Sequence, residues 1–182
     1  MKISKTISWV MGHALSEPYP QDGPCAHLHG HNYKAEIRVA GAIGDDGMVF
    51  DAADFNALKD WVNVYLDHRM MLRDNHPLVQ ALDRQEQSDQ IKYVLNDILK
   101  VMNWGIVSVP FNPTAENLAI LLATRTATTM GLSGQIAHIG VTVWETDTVS
   151  AIYEVANSAM GYPAFKDYSP MTLWQPAKGS TA

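Results

Sequence analysis

From His31 to Ala40 the chain alternates residue by residue, with Tyr33, Ala35, Ile37 and Val39 on one side and Lys34, Glu36 and Arg38 on the other. A period of two is the mark of a half-buried strand. Its apolar face has to be covered by a second layer, so the rest of the chain must supply both sheet neighbours and a cover. Residues 2–12 read as one neighbouring strand. Between the two, Ser16-Glu17-Pro18-Tyr19-Pro20-Gln21-Asp22-Gly23-Pro24 is dense in Pro, Gly and Asp and reads as a loop. Gly41–Gly47, with Asp45-Asp46-Gly47 inside it, reads as the next turn.

The period then changes. Phe55, Leu58, Trp61, Val62, Tyr65 and Leu66 recur at spacings of three and four, the stripe of an amphipathic helix ending near Asp67-His68. A second stripe runs through Ile91, Val94, Leu95, Ile98, Leu99 and Met102. Asn112-Pro113 offers an N-cap with proline at the first helical position, and Leu118, Leu121 and Leu122 continue that helix to about Gly131. Two β-rich runs follow, Gln135–Thr146 and Val149–Val155. The tail beyond carries Gly161, Pro163, Pro170 and Pro176 and reads as irregular. Strands in sequential pairs with helices between them predict an α+β fold around an antiparallel four-stranded sheet. Its two open edges predict association with further copies.

The 182 residues suffice for one domain with a sizeable core. Thirteen Lys and Arg against nineteen Asp and Glu give a net charge of −6, which does not supply the basic footprint of a nucleic-acid-binding protein. No run approaches the roughly 20 apolar residues of a membrane span. The single cysteine excludes a disulfide framework, and the N-terminus lacks the apolar core of a signal peptide, so a cytoplasmic location is expected.

Chemistry is densest at Cys25-Ala26-His27-Leu28-His29-Gly30-His31. In a strand, His29 and His31 project from the same face and can chelate one ion. His13 closes the preceding strand, and antiparallel pairing would bring it beside them as a third ligand. Three neutral imidazoles with a fourth position open suit a catalytic zinc ion. His27 falls on the opposite face and reads as a loop histidine. Cys25, close to such an ion, would be a base or nucleophile rather than a buried thiol. Glu145 follows Ile139, Val141 and Val143 at period two, which places a carboxylate on an apolar face where a ligand with paired N–H donors would satisfy it.

Taken together and in order, these residues resemble the 6-pyruvoyl-tetrahydropterin synthase / 6-carboxytetrahydropterin synthase family. The series comprises Trp9 and His13, Cys25 before His29-Gly30-His31-Asn32-Tyr33, Gly47-Met48-Val49-Phe50-Asp51, Leu66-Asp67-His68, Asn112-Pro113-Thr114-Ala115-Glu116-Asn117-Leu118-Ala119 and Trp144-Glu145-Thr146-Asp147. The resemblance implies a tunnelling-fold domain over residues 1–156, with a helical insert at about 73–108 and an irregular extension at 157–182. Trimers would close a β-barrel and stack in pairs as a homohexamer. It implies zinc on His13, His29 and His31, and Cys25 as the proton-abstracting residue with Asp67 and His68 as relay partners. Glu145 would hold the pterin ring, aided by Thr114 and Glu116. The substrate implied is 7,8-dihydroneopterin triphosphate, whose side chain the metal would polarise. Candidate cations for its phosphates are His27, Lys34 and Arg69. Three residues separate Cys25 from His29. That gap resembles the bacterial 6-carboxytetrahydropterin synthases of 7-deazaguanine and queuosine biosynthesis, whereas the pyruvoyl-forming branch typically carries a longer one. The alternatives are that pyruvoyl branch, an inactive relative that keeps zinc, and a cupin. Glu36 lies on the opposite strand face from His31, which disfavours the cupin.

Overall fold

A computed structural model describes residues 1–83, 105–129, 136–156 and 172–173. The elements in chain order are β1 (Lys2–Ala14), a 3-10 turn (Pro24–Ala26), β2 (His29–Gly41), α1 (Asp54–Tyr65), β3 (Arg69–Arg73), α2 (Pro77–Asp83) and β4 (Ile106–Val109). They are followed by α3 (Ala115–Thr129), β5 (Ile136–Trp144), β6 (Ser150–Ala156) and a two-residue β7 (Thr172–Leu173). One curled sheet contains all the described strands, in the order β6-β5-β2-β1-β3-β4-β7.

The four expected strands are present and pair antiparallel, β6 with β5, β5 with β2 and β2 with β1. The expectation of a four-stranded antiparallel sheet is nevertheless corrected. β3 and β4 extend it on the β1 side, β3 parallel to β1 and β4 parallel to β3, with β7 antiparallel to β4. Met71, Leu72, Ile106 and Val107 are all fully buried. Strands this short and covered on both faces show no alternation, so period two could not reveal them. The segment read as a helical insert thus contributes the short helix α2 and the strand β4. Its Ile91–Met102 stripe lies outside the described residues, as does Gly131. Of the extension only Thr172–Leu173 is described, and it is a strand.

The alternation of β2 survives as burial: Tyr33, Ala35, Ile37 and Val39 are buried, and Lys34 is exposed. This face joins Ile7, Trp9 and Met11 of β1 and Ile139, Val141 and Val143 of β5. The layer that covers it is α1, through Phe55, Leu58, Trp61 and Val62, with α3, through Leu118, Leu121 and Leu122. A large aliphatic side chain buried this way stabilises by about 1.5–3 kcal/mol, which is why both helices turn their apolar stripes onto the sheet. α3 starts two residues later than the sequence suggests. Thr114, not Asn112, caps it, its hydroxyl accepting the Asn117 N–H at 3.4 Å. Asn112 ties instead to the loop after β1. Its side-chain oxygen accepts the Ser16 N–H at 2.8 Å and its amide donates to the Ser16 carbonyl at 2.7 Å. No helix among the described residues is long and apolar enough to cross a membrane.

Candidate active site

The β1–β2 register sets His13 directly opposite His29 and Met11 opposite His31. All three imidazoles therefore leave the sheet on one face, at the end where the strands open toward the 15–28 loop. One ring nitrogen from each lies within 4.8 Å of the others. The Nε2 atoms of His13 and His29 are 3.0 Å apart. On the far side of each ring a carbonyl takes the Nδ1 proton: Pro113 accepts from His13 at 2.6 Å and His27 accepts from His29 at 2.7 Å. With Nδ1 protonated, each Nε2 presents a lone pair inward, which is the tautomer a metal ligand needs. Two lone pairs at 3.0 Å repel unless a cation lies between them. Tetrahedral bonds of about 2.0–2.1 Å would set such ligand atoms about 3.3 Å apart, so the donor set fits a divalent ion. Burial holds His13 below its ordinary titration despite the Pro113 hydrogen bond, and keeps the ring neutral and ready to ligate.

Glu145 follows β5 and turns its Oε1 to 3.5 Å from Nε2 of His13 and 3.7 Å from Nε2 of His31. Tyr33 donates its hydroxyl to the same oxygen at 3.1 Å. Tyr33 is 1% exposed and stacks on Trp9 with ring centroids 5.3 Å apart. Burial, with the adjacent carboxylate, raises its titration well above the ordinary range, so it stays a donor. Sequence reasoning assigned Tyr33 to the core only. Its place two residues after His31 was the available signal, because a buried phenol needs a partner. The Pro113 carbonyl left no such signal, since a main-chain acceptor 100 residues from His13 has no residue type to betray it.

A cavity of about 170 Å³ joins His13, Cys25, Thr114, Glu116 and Glu145, closed by Leu15 and Val149–Ala151. Five of the residues expected at the site thus share one space. Cys25 is partly exposed there, its carbonyl accepting the Leu15 N–H at 2.8 Å. Asp67 and His68 are not part of that cavity. His68 lines a second one, of about 400 Å³, with His31, Asn32 and Arg69. The Asp67 carboxylate accepts the Val10 N–H at 3.0 Å and pairs with Nδ1 of His68 at 2.9 Å. Partial burial pushes the Asp67 carboxyl upward, but the Val10 hydrogen bond and His68 outweigh it, and the group titrates below its ordinary value. His68 has φ of 56°, a left-handed conformation that non-glycine residues adopt at a cost and that often marks functional positions. Of the candidate cations, Arg69 borders the second cavity, whereas Lys34 lies over the Trp144 ring at 4.3 Å.

Residues 2–156 match the family model described as 6-pyruvoyl tetrahydropterin synthase. A Haemophilus influenzae protein named 6-carboxy-5,6,7,8-tetrahydropterin synthase is 27% identical over 158 residues, 84% of this chain and 98% of that protein. A Halobacterium salinarum protein named as a probable enzyme of the same kind is 30% identical over 141 residues, 77% of each chain. In fold, the chain is similar to the Plasmodium falciparum 6-pyruvoyl tetrahydropterin synthase structure, with a TM-score of 0.61, 21% identity, and coverage of 86% of this chain and 98% of that one.

Proposed function

The chain belongs to the 6-pyruvoyl tetrahydropterin synthase family, and from that premise we propose that it is a zinc-dependent 6-carboxy-5,6,7,8-tetrahydropterin synthase. In this reading it converts 7,8-dihydroneopterin triphosphate and water to 6-carboxytetrahydropterin, acetaldehyde and triphosphate, a step toward 7-deazaguanine and queuosine. The observation that carries it is the convergence of three imidazole nitrogens within 4.8 Å of one another, one of them, His13, sharing a small cavity with a thiol and a carboxylate. Zinc binding alone needs neither Cys25 nor Glu145 there, which argues against an inactive relative. The carboxy branch is favoured by the three-residue gap from Cys25 to His29 and by the names of the relatives.

His13, His29 and His31 would hold the ion, which when bound supplies a Lewis acid for the oxygens of the substrate side chain. Glu145 accepts the amino and ring N–H groups of the pterin through its paired oxygens, while Tyr33 fixes one of them in place. Thr114 and Glu116, at the first turn of α3, flank the ring. Cys25, on the same cavity, takes the proton from the side-chain carbon. Asp67 orients His68 through the Nδ1 contact, so that the outer ring nitrogen of His68 is the one that exchanges protons.

Within one chain Cys25 and His68 open onto different cavities, and 170 Å³ falls short of the roughly 300–1,000 Å³ of a pocket that buries a small molecule. Both features support a relay and pocket completed by further copies, in a homohexamer built as a dimer of trimers. The test is Cys25→Ala. It should keep its zinc and bind a pterin analogue normally while turnover falls by about 10²–10⁴-fold, the usual loss of a general base. Near wild-type kcat in that variant would remove Cys25 from the role.

A further inference from the structure

We propose that Tyr33 is a positioning residue that holds Glu145 off the metal, so that the carboxylate stays free for the pterin and the fourth coordination position stays open. The inference rests on the reading of Glu145 as the group that holds the pterin ring. One carboxylate here has two competing uses. Ligand atoms of a tetrahedral zinc ion stand about 3.3 Å apart. Oε1 of Glu145 lies 3.5 Å from Nε2 of His13 and 3.7 Å from Nε2 of His31, close to that spacing from two of the three imidazoles. Among the described residues it makes no such contact with His29. The carboxylate thus borders the donor set without completing it. Turned onto the ion, it would be a fourth ligand, and the site would be closed as structural zinc sites are.

The main chain does not prevent that turn. Glu145 N–H donates to the Val149 carbonyl at 3.2 Å, which pins the backbone at the end of β5 and leaves the side-chain torsions free. The side chain is 24% exposed, so tight packing does not hold it either. What fixes it is the Tyr33 hydroxyl, which donates to the same Oε1 at 3.1 Å. Tyr33 itself has little freedom. It stands opposite Trp9 in the β1–β2 register and stacks on that ring, with an interplanar angle of 9°. It also meets the His31 ring edge-on, with centroids 5.6 Å apart. A rigid donor on the oxygen that faces the imidazoles competes directly with ligation by that oxygen.

Packing explains the ring of Tyr33 and not its hydroxyl, because a phenylalanine would fill the same core space and stack on Trp9 equally well. The hydroxyl oxygen also lies 3.3 Å from Nδ1 of His13, but that nitrogen's proton is committed to the Pro113 carbonyl at 2.6 Å. The phenol proton is therefore left for Glu145. One buried side chain so touches both a metal ligand and the pterin anchor, and it keeps their two tasks apart.

The experiment compares wild type, Tyr33→Phe, Glu145→Gln and the double variant. Each zinc-loaded protein is challenged with a chromophoric zinc chelator to obtain its zinc affinity, and is titrated with neopterin, an analogue of the substrate without its phosphates. Tyr33→Phe keeps the ring and removes the donor. It should hold zinc about tenfold more tightly, a change of the size that outer-sphere partners of metal ligands exert. Neopterin should bind it about tenfold more weakly, because Glu145 has turned to the ion. Glutamine is a poor zinc ligand, so the double variant should return to within about twofold of the wild-type zinc affinity. Loosened packing would weaken zinc binding, so a gain on removing a buried hydroxyl separates this role from a structural one. A zinc affinity unchanged or lower in Tyr33→Phe overturns the proposal, as does a gain that survives in the double variant. Equal neopterin binding by Glu145→Gln and wild type would instead overturn the reading of Glu145 as the anchor, and the zinc comparison would still decide whether Tyr33 holds the carboxylate off the metal.

Discussion

His13 and His29 hold two ring nitrogens 3.0 Å apart while each Nδ1 is committed to a carbonyl, an arrangement that a cation between them makes favourable. Removing either His29 or His31 leaves at most two imidazoles. His29→Ala and His31→Ala should therefore lose most of their zinc by elemental analysis while circular dichroism stays near wild type; full occupancy in both would place the ion elsewhere. Asp67 permits a prediction about pH. Its folded carboxyl titrates below 3.8, so its contribution to stability is fully present above that pH and is lost as pH falls through the folded value. Asp67 is 29% exposed, which screens the effect to about 1 kcal/mol. Denaturant unfolding should find Asp67→Asn less stable than wild type near neutrality and equal to it in strong acid. A gap that persists in acid would refute this origin. At this scale the histidines were legible in the sequence because strand period and pairing alone bring them together. Tyr33, a buried apolar-face residue by pattern, disclosed its polar role only when its hydroxyl met Glu145.

Elements succeed or fail as sequence readings according to how many faces they bury. β2 buries one and shows it, as do α1 and α3, whose stripes meet the sheet. β3 and β4 bury two and are four or five residues long, so nothing periodic announces them. The cap of α3 was misplaced for a different reason. Asn112 is a good capping residue, but its side chain reaches Ser16, 96 positions away, and Thr114 takes the cap. That long-range clamp joins the lead-in of α3, which carries Thr114 and Glu116, to the loop that carries Cys25. Asn112→Ala leaves the Ser16 N–H without its partner and the Ser16 carbonyl with the Tyr19 N–H alone, so a loss of about 2 kcal/mol is expected from thermal or urea unfolding. Turnover should drop with it as the two halves of the cavity loosen. A variant as stable as wild type would show that the clamp contributes nothing.

At the scale of the molecule, the sheet formed by the described strands ends in a long β6 on one side and the two-residue β7 on the other. Ile152 of β6 is 67% exposed, so among the described residues the long edge strand offers apolar surface, as a strand awaiting a neighbour does. Such an edge gives association a physical basis, and the separation of Cys25 from His68 gives it a chemical one. The central claim is that these residues act together on a pterin triphosphate and cleave its side chain. Its most direct test is to incubate the zinc-loaded protein with 7,8-dihydroneopterin triphosphate, identify the pterin product by mass spectrometry and assay acetaldehyde in the same sample. The account predicts 6-carboxytetrahydropterin and acetaldehyde in equal amounts. Untouched substrate in the presence of a fully zinc-loaded protein, or a 6-pyruvoyl product without acetaldehyde, would contradict it.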